Sequence, residues 1–254
     1  MILKQIIISL LTIAVVVAQG RGETRKRNQD RDRITMSAIE REKAYQLAQA
    51  VVLGKTLAKQ IKKKSKCLVI HYPLAKNNQE DLNRIVAALK AGLGDKAGEM
   101  KKAAIKDLKG KNGEIAEEAM MENTAADFNK VIKANKDCDV VITMVPLPFS
   151  EDEIYAMDIF KMIEDPDNPA FWIKDPKIKY PVFGIYNGFV GNLEPLFLEQ
   201  LIHAMTMWKP NPLIDEKPVP KNEQQAFDKR YTVVTPENIE EVKKKYPQLF
   251  PKAR

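Results

Sequence analysis

Histidine and cysteine are scarce, with two of each among 254 residues. Two cysteines allow one disulfide at most, so the chain is not a small scaffold stapled by several. The motifs H-E-x-x-H and G-x-S-x-G are absent, as is any pair of C-x-x-C, and no metal, cofactor or catalytic residue is assigned. Gly54-Lys55-Thr56 is a fragment of a phosphate-binding loop, but the glycine required five residues earlier is Gln49. No strand pattern precedes it, so the pattern argues against a nucleotide site there. The chain has no internal repeat or low-complexity tract. At 44% apolar and 30% charged, it has the composition of a globular protein.

Long apolar runs are also missing, except at the N-terminus. There Lys4 precedes a run from Ile6 to Ala18, too short for an ordinary spanning helix but suited to the core of a signal peptide. Residues 1–19 read as an export signal, with an uncleaved membrane anchor as the alternative. The basic residues Arg21, Arg25, Lys26 and Arg27 speak for the anchor, because positive charge resists export. Residues 20–36 read as a basic polar linker. The net charge is +7, and residues 1–33 carry +4 of it, with seven basic and three acidic side chains. The folded part is therefore close to neutral, which argues against nucleic acid as a partner. The linker's basic residues suit anionic lipid headgroups.

The segment Asp137–Ser150 organises the rest. Val140, Val141 and Ile142 begin a β-branched run suited to a strand buried on both faces. Pro146 and Pro148 stop it, and Ser150 with Glu153 forms a capping box that starts a helix. The same unit recurs at 67–72, 181–186 and 231–234, each followed by turn residues and a helix start. Repeated strand-then-helix units predict a three-layer α/β domain over 37–254. Its sheet is mostly parallel and doubly wound (Rossmann-like or flavodoxin-like), with four to five strands. Helices are expected at 37–64, 79–91, about 124–135, 151–163, 193–208 and 237–246. Residues 98–122 read either as a lysine-rich edge strand from Met100 or as helix. Phe171-Trp172-Ile173 is expected to fold back as a cover, and 209–222, with four prolines, as an extended connection.

Ligands bind such sheets at the C-terminal ends of the strands. The candidate lining is accordingly His71, Tyr72, Asn77, Pro146, Ser150, Tyr186, Asn187 and Thr235. His71 stands at a strand end but shows no acidic partner in sequence, so an acid–base role has no further support. His203, among Leu201, Ile202 and Met205, reads as a packing residue. Cys67 and Cys138 start strands that the order 2-1-3-4-5 makes neighbours; two buried thiols are preferred to a disulfide, because adjacent parallel strands do not readily meet disulfide geometry. The backbone of Asn187-Gly188-Phe189-Val190-Gly191-Asn192 either cradles an anion or forms an ordinary turn, and the turn is favoured.

Two stretches, C-D-V-V-I-T-M-V-P-L-P (138–148) and Y-T-V-V-T-P-E-N-I-E-E-V (231–242), together with the export-type N-terminus, resemble bacterial periplasmic substrate-binding proteins of the sugar-transporter type. In that family an aspartate-led strand ends in a proline-containing loop at the ligand cleft, and a late strand leads into a final helix. The resemblance implies a non-enzymatic envelope protein, periplasmic if the signal is cleaved, that binds a small solute. The family has two lobes and a longer chain, so this sequence corresponds to one lobe or to a relative that has lost transport, and no family binding residue is carried over. Two other readings stand beside it. One is a Rossmann-like enzyme using a nucleotide-type cofactor. The other is a membrane-tethered interaction module with Phe171-Trp172-Ile173 as its contact surface.

Overall fold

The computed structural model describes residues 24–73, 78–106, 123–168, 172–212 and 218–250, with side chains from residue 38 onward. The expectations for residues 1–19, Asn77 and Phe171 lie outside them. The chain divides into two compact units, Met1–Glu42 and Lys43–Arg254. Helix α1 (Thr24–Leu57) passes through this division, so the expected linker is helical from Thr24. The linker's Arg, Lys and Gln residues are good helix formers. The helix ends at Leu57 rather than Lys64. Lys64 adopts a left-handed conformation (φ 62°), which turns the chain into the first strand.

The second unit is built on a six-stranded sheet. In chain order its strands are β1 (Ser65–His71), β2 (Ala97–Ala104), β3 (Val140–Thr143), β6 (Val182–Ile185), β7 (Ala204–Trp208) and β8 (Tyr231–Val234); β4 (Met162–Glu164) and β5 (Trp172–Lys174) form a separate antiparallel hairpin. The spatial order is β2-β1-β3-β6-β7-β8, and every pairing is parallel except β7 with β8. This is the doubly wound arrangement expected, with six strands rather than four to five: β7 is the added strand, and the expected strand at 231–234 (β8) runs antiparallel at the edge.

Side-chain alternation on the central strands serves two cores. Cys67, Val69, Val140 and Ile142 face α1 and α2 (Gln79–Leu93), packing with Leu53, Leu57 and Leu89. Leu68, Ile70 and Val141 face the opposite way, toward Phe128, Phe160, Phe183 and Phe197. That second layer comprises α3 (Ala125–Ala134), α4 (Glu151–Tyr155), α5 (Glu194–Leu198) and α7 (Ile239–Lys245). The two cysteines therefore stand on opposite faces of the sheet, and both are free and buried. Burial pushes the Cys67 thiol up to about 12, far from a reactive thiolate.

Gly54 has a packing role. A Cβ there would lie 2.4 Å from the Leu89 carbonyl oxygen, and one on Gly92 would lie 2.2 Å from that of Val51. The two glycines let α1 and α2 cross backbone to backbone, and this accounts for the glycine of the incomplete phosphate-loop pattern.

Two expectations are corrected and one helix is added. The helix at 151–163 stops at Tyr155. Asn129 accepts the Asp158 N–H (2.8 Å) and donates to the Ala156 carbonyl (3.1 Å), diverting the chain into a 3₁₀ turn and β4. The helix at 193–208 is only α5; Gln200 turns left-handed (φ 54°), and Ala204–Trp208 is a strand. An apolar run of that length fits a buried strand as well as a buried helix. A further helix, α6 (Glu223–Arg230), follows the proline-rich connection, with Asn222 accepting the Gln225 N–H at its start.

Candidate functional site

Parallel strands β1, β3 and β6 end side by side, and the order reverses between β1 and β3, where doubly wound sheets leave a crevice. Local chemistry builds each strand end. On β3, the Thr143 hydroxyl donates to the Val145 carbonyl (2.7 Å) and accepts the Val145 N–H (3.1 Å), stopping the strand before Pro146. On β1, His71 Nδ1 lies 2.6 Å from the Tyr72 carbonyl oxygen, which places the ring proton on Nδ1. Beyond β6, Asn187 is left-handed (φ 59°) and its N–H donates to the Thr206 hydroxyl (3.2 Å), while the Gly188 N–H donates to the Thr206 carbonyl (2.8 Å). Both N–H groups are thus consumed within the protein, so the turn reading holds at Asn187-Gly188 and the anion cradle does not. Thr206 also accepts from Gln49 of α1 at 3.0 Å, and the buried Tyr186 donates its hydroxyl to the Gln46 carbonyl at 3.1 Å.

Residue Asn123, which was not among the candidates, joins two of these ends. Its Nδ2 donates to the Tyr72 hydroxyl oxygen (3.1 Å) and to the Pro146 carbonyl (2.9 Å), bridging β1 and β3. The residue is only 6% exposed. Its backbone position is set by the helix that follows. Thr124 and Asp127 form a reciprocal capping box at the start of α3. The Ala125 N–H is taken by Glu153 Oε2 at 2.6 Å, and Glu153 in turn donates its N–H to Ser150, the N-cap of α4. The helix starts after β2 and β3 are thereby locked together. Burial raises the pKa of the Tyr72 hydroxyl, with the Asn123 hydrogen bond pulling the other way, so it stays protonated at neutral pH.

The structure gathers His71, Tyr72, Pro146, Ser150, Tyr186 and Asn187 along one edge of the sheet. Thr235 is not among them. Strand β8 runs antiparallel, so its end lies at the opposite edge, where Thr235 donates its backbone N–H to Asn238 Oδ1 (2.8 Å) at the start of α7. His203 lies at that far edge too, accepting the Phe183 N–H on Nδ1 (3.1 Å); burial drops its pKa to about 4, so the ring is neutral. It is a packing residue as expected, though in a loop rather than a helix. The far edge also holds exposed ion pairs, with Asp137 between Lys66 and Lys101 and Asp139 against Lys179.

Two aromatic residues near the candidates are conspicuously uncovered. Phe149, after β3, is 76% exposed, and Phe189, after β6, is 54% exposed. Sequence carried a signal for Phe149, an aromatic ring between Pro148 and a helix cap. For Asn123 it carried none, because the partners are 51 and 23 residues away. A cavity of about 190 Å³ lies elsewhere, along the outer edge of β8 between α6 and α7. Its rim is formed by exposed charged side chains such as Asp228, Glu241 and Lys245. Its position away from the switch point gives it less weight than the strand ends. Among the described residues, no group of three or more His, Cys, Asp or Glu is placed to hold a metal. No helix among them is long and apolar enough to cross a membrane.

No protein-family profile and no curated protein matches the chain. Some solved structures show a partial likeness. The substrate-binding protein of a sugar ABC transport system from Bordetella parapertussis 12822 is 14% identical, covers 64% of this chain and 41% of its own, and has a TM-score of 0.38. AraP, an arabinose-binding protein from Geobacillus stearothermophilus, is 15% identical, with 77% and 62% covered and a TM-score of 0.40. The XylFII-LytSN complex is 10% identical, with 76% and 61% covered and a TM-score of 0.43. The resemblance is weak, and this chain spans less than two thirds of the length of each.

Proposed function

We propose that this chain is a solute-binding lobe of the cell envelope, exported or anchored by residues 1–19, that holds a small molecule by binding rather than turnover. The site is the crevice where β1, β3 and β6 end. One observation carries this reading: Phe149 and Phe189 stand uncovered in the loops after two adjacent strands, β3 and β6, at the end of the sheet to which Tyr72 and Asn187 also belong. Covering a phenylalanine ring is worth about 2 kcal/mol, so two rings left in water at the ends of β3 and β6, beside the switch-point strand, favour an apolar-faced partner there. Aromatic surface next to a few fixed polar groups is the usual make-up of a small-molecule site.

The test is a thermal-shift screen of the full chain against monosaccharides, amino acids, small carboxylates, nucleosides and nucleotides. Selective binding to the native state raises the midpoint by mass action. A shift with sugars or other small solutes that is lost on Phe149→Ala supports the reading. A shift with nucleotides alone moves the enzyme reading to the front, and no shift with any class overturns the solute-binding role.

One observation favours the interaction-module reading as second. Trp172 on β5 is 58% exposed, although Ile173 beside it is half-buried. A single exposed ring is smaller than the contiguous patches that mark protein interfaces, which keeps this reading behind solute binding.

A further inference from the structure

The amide of Asn123 has one committed end and one idle end. Opposite the Pro146 carbonyl only a donor fits, and proline has no N–H to offer in exchange, so Nδ2 must face it. The other end, Oδ1, is then an acceptor. It is buried and takes no hydrogen bond from any group among the described residues. Buried acceptors in folded proteins are nearly always satisfied, and an exception asks for a reason. Its place supplies one, because the amide bridges the ends of β1 and β3 on either side of the point where the strand order reverses.

Resting on the solute-binding reading above, we propose that Asn123 Oδ1 accepts a hydrogen bond from a hydroxyl or N–H of the bound solute and is a specificity-determining residue of the site. A carboxylate or phosphate at that position would set acceptor against acceptor, and the Asn187-Gly188 N–H groups that might have held an anion are already spent on Thr206. At that position the site therefore takes a donor of the solute and discriminates against a carboxylate put in its place.

The experiment is isothermal titration of the full chain with matched probes: D-glucose against D-glucuronate, D-galactose against D-galacturonate, and D-xylose and L-arabinose alone, on wild type and on Asn123→Leu. The expected result is a neutral probe binding at least about 10-fold more tightly than its acid, with a loss of about 10-fold or more in Asn123→Leu while circular dichroism stays native. Equal or tighter binding of the acids overturns the inference. So does a folded Asn123→Leu with wild-type affinity, the result expected if a buried water satisfies the oxygen and the residue only supports the fold. If Asn123→Leu fails to fold, the neutral-to-acid ratio in wild type decides alone. Absence of binding to every probe, in this titration and in the wider screen, overturns the solute-binding reading itself, whereas binding indifferent to Asn123 overturns only this inference.

Discussion

Substituting Gly92 by alanine tests the helix crossing that holds one face of the sheet. The added Cβ would sit 2.2 Å from the Val51 carbonyl oxygen and 3.0 Å from the Gly54 Cα. A relaxed carbon–oxygen contact is about 3.4 Å, so α1 and α2 must part by roughly 1 Å. The obstacle is backbone, and no rotamer change relieves it. Separation loosens the contacts of Leu53, Leu89 and Leu93, all buried in the same cluster. Overpacking of this kind costs about 3 kcal/mol at the upper end, and alanine returns about 1 kcal/mol through helix propensity. The net loss is about 2 kcal/mol, which lowers the melting midpoint by roughly 4–8 °C. Urea denaturation and thermal circular dichroism measure it, with Lys90→Ala on the exposed side of α2 as the control, expected within about 0.5 kcal/mol of wild type. A Gly92→Ala protein as stable as wild type would refute the backbone contact, and with it the packing explanation for Gly54.

Other outcomes follow from the same geometry. Phe149→Ala and Phe189→Ala should leave stability within about 0.5 kcal/mol of wild type, because both rings lie mostly in solvent, yet weaken any solute found in the screen; a large fall in melting midpoint would show the rings to be structural. His203 has a pKa lowered from 6.5 to about 4, chiefly by burial, so the unfolded chain binds its proton more tightly. Its contribution, on the order of 2 kcal/mol, is whole above pH 6.5 and declines as the pH falls toward 4; His203→Gln, by removing the titration, should flatten that part of the stability profile measured by urea melts. Cys67, with its thiol pushed up to about 12 and its side chain buried, should label with a thiol reagent only on unfolding, and fast labelling at pH 8 in the native state would contradict its placement.

Much of the frame could be read without coordinates because its signals are local. The all-buried run Val140–Thr143 is β-branched, and the caps at Thr124 and Ser150 use side chains three residues from their partners. Lysines at 101 and 102 marked β2 as an edge strand, one of the two readings of that region. Strand β7 was not legible, since Ala-Met-Thr-Met-Trp suits a buried helix or a buried strand and only its neighbours β6 and β8 select between them.

The amino-acid order alone determined that strand-then-helix units would stack into a mostly parallel sheet, and where most of those strands begin and end. It did so because β-branching, proline stops and helix caps act within a few residues. Only the tertiary structure decided direction, face and company. Strand β8 starts where β7 ends, with the Lys209 N–H donating to the Arg230 carbonyl at 2.8 Å, so it runs backwards and carries Thr235 to the far edge. Alternation about β1, and the position of Cys138 ahead of β3, put the two cysteines on opposite faces. Asn123 gained its role from partners that approach only when β1, β3 and α3 have packed. A hydrogen bond between residues far apart in the chain leaves no spacing to read, because the geometry that makes it comes from packing rather than from order along the backbone.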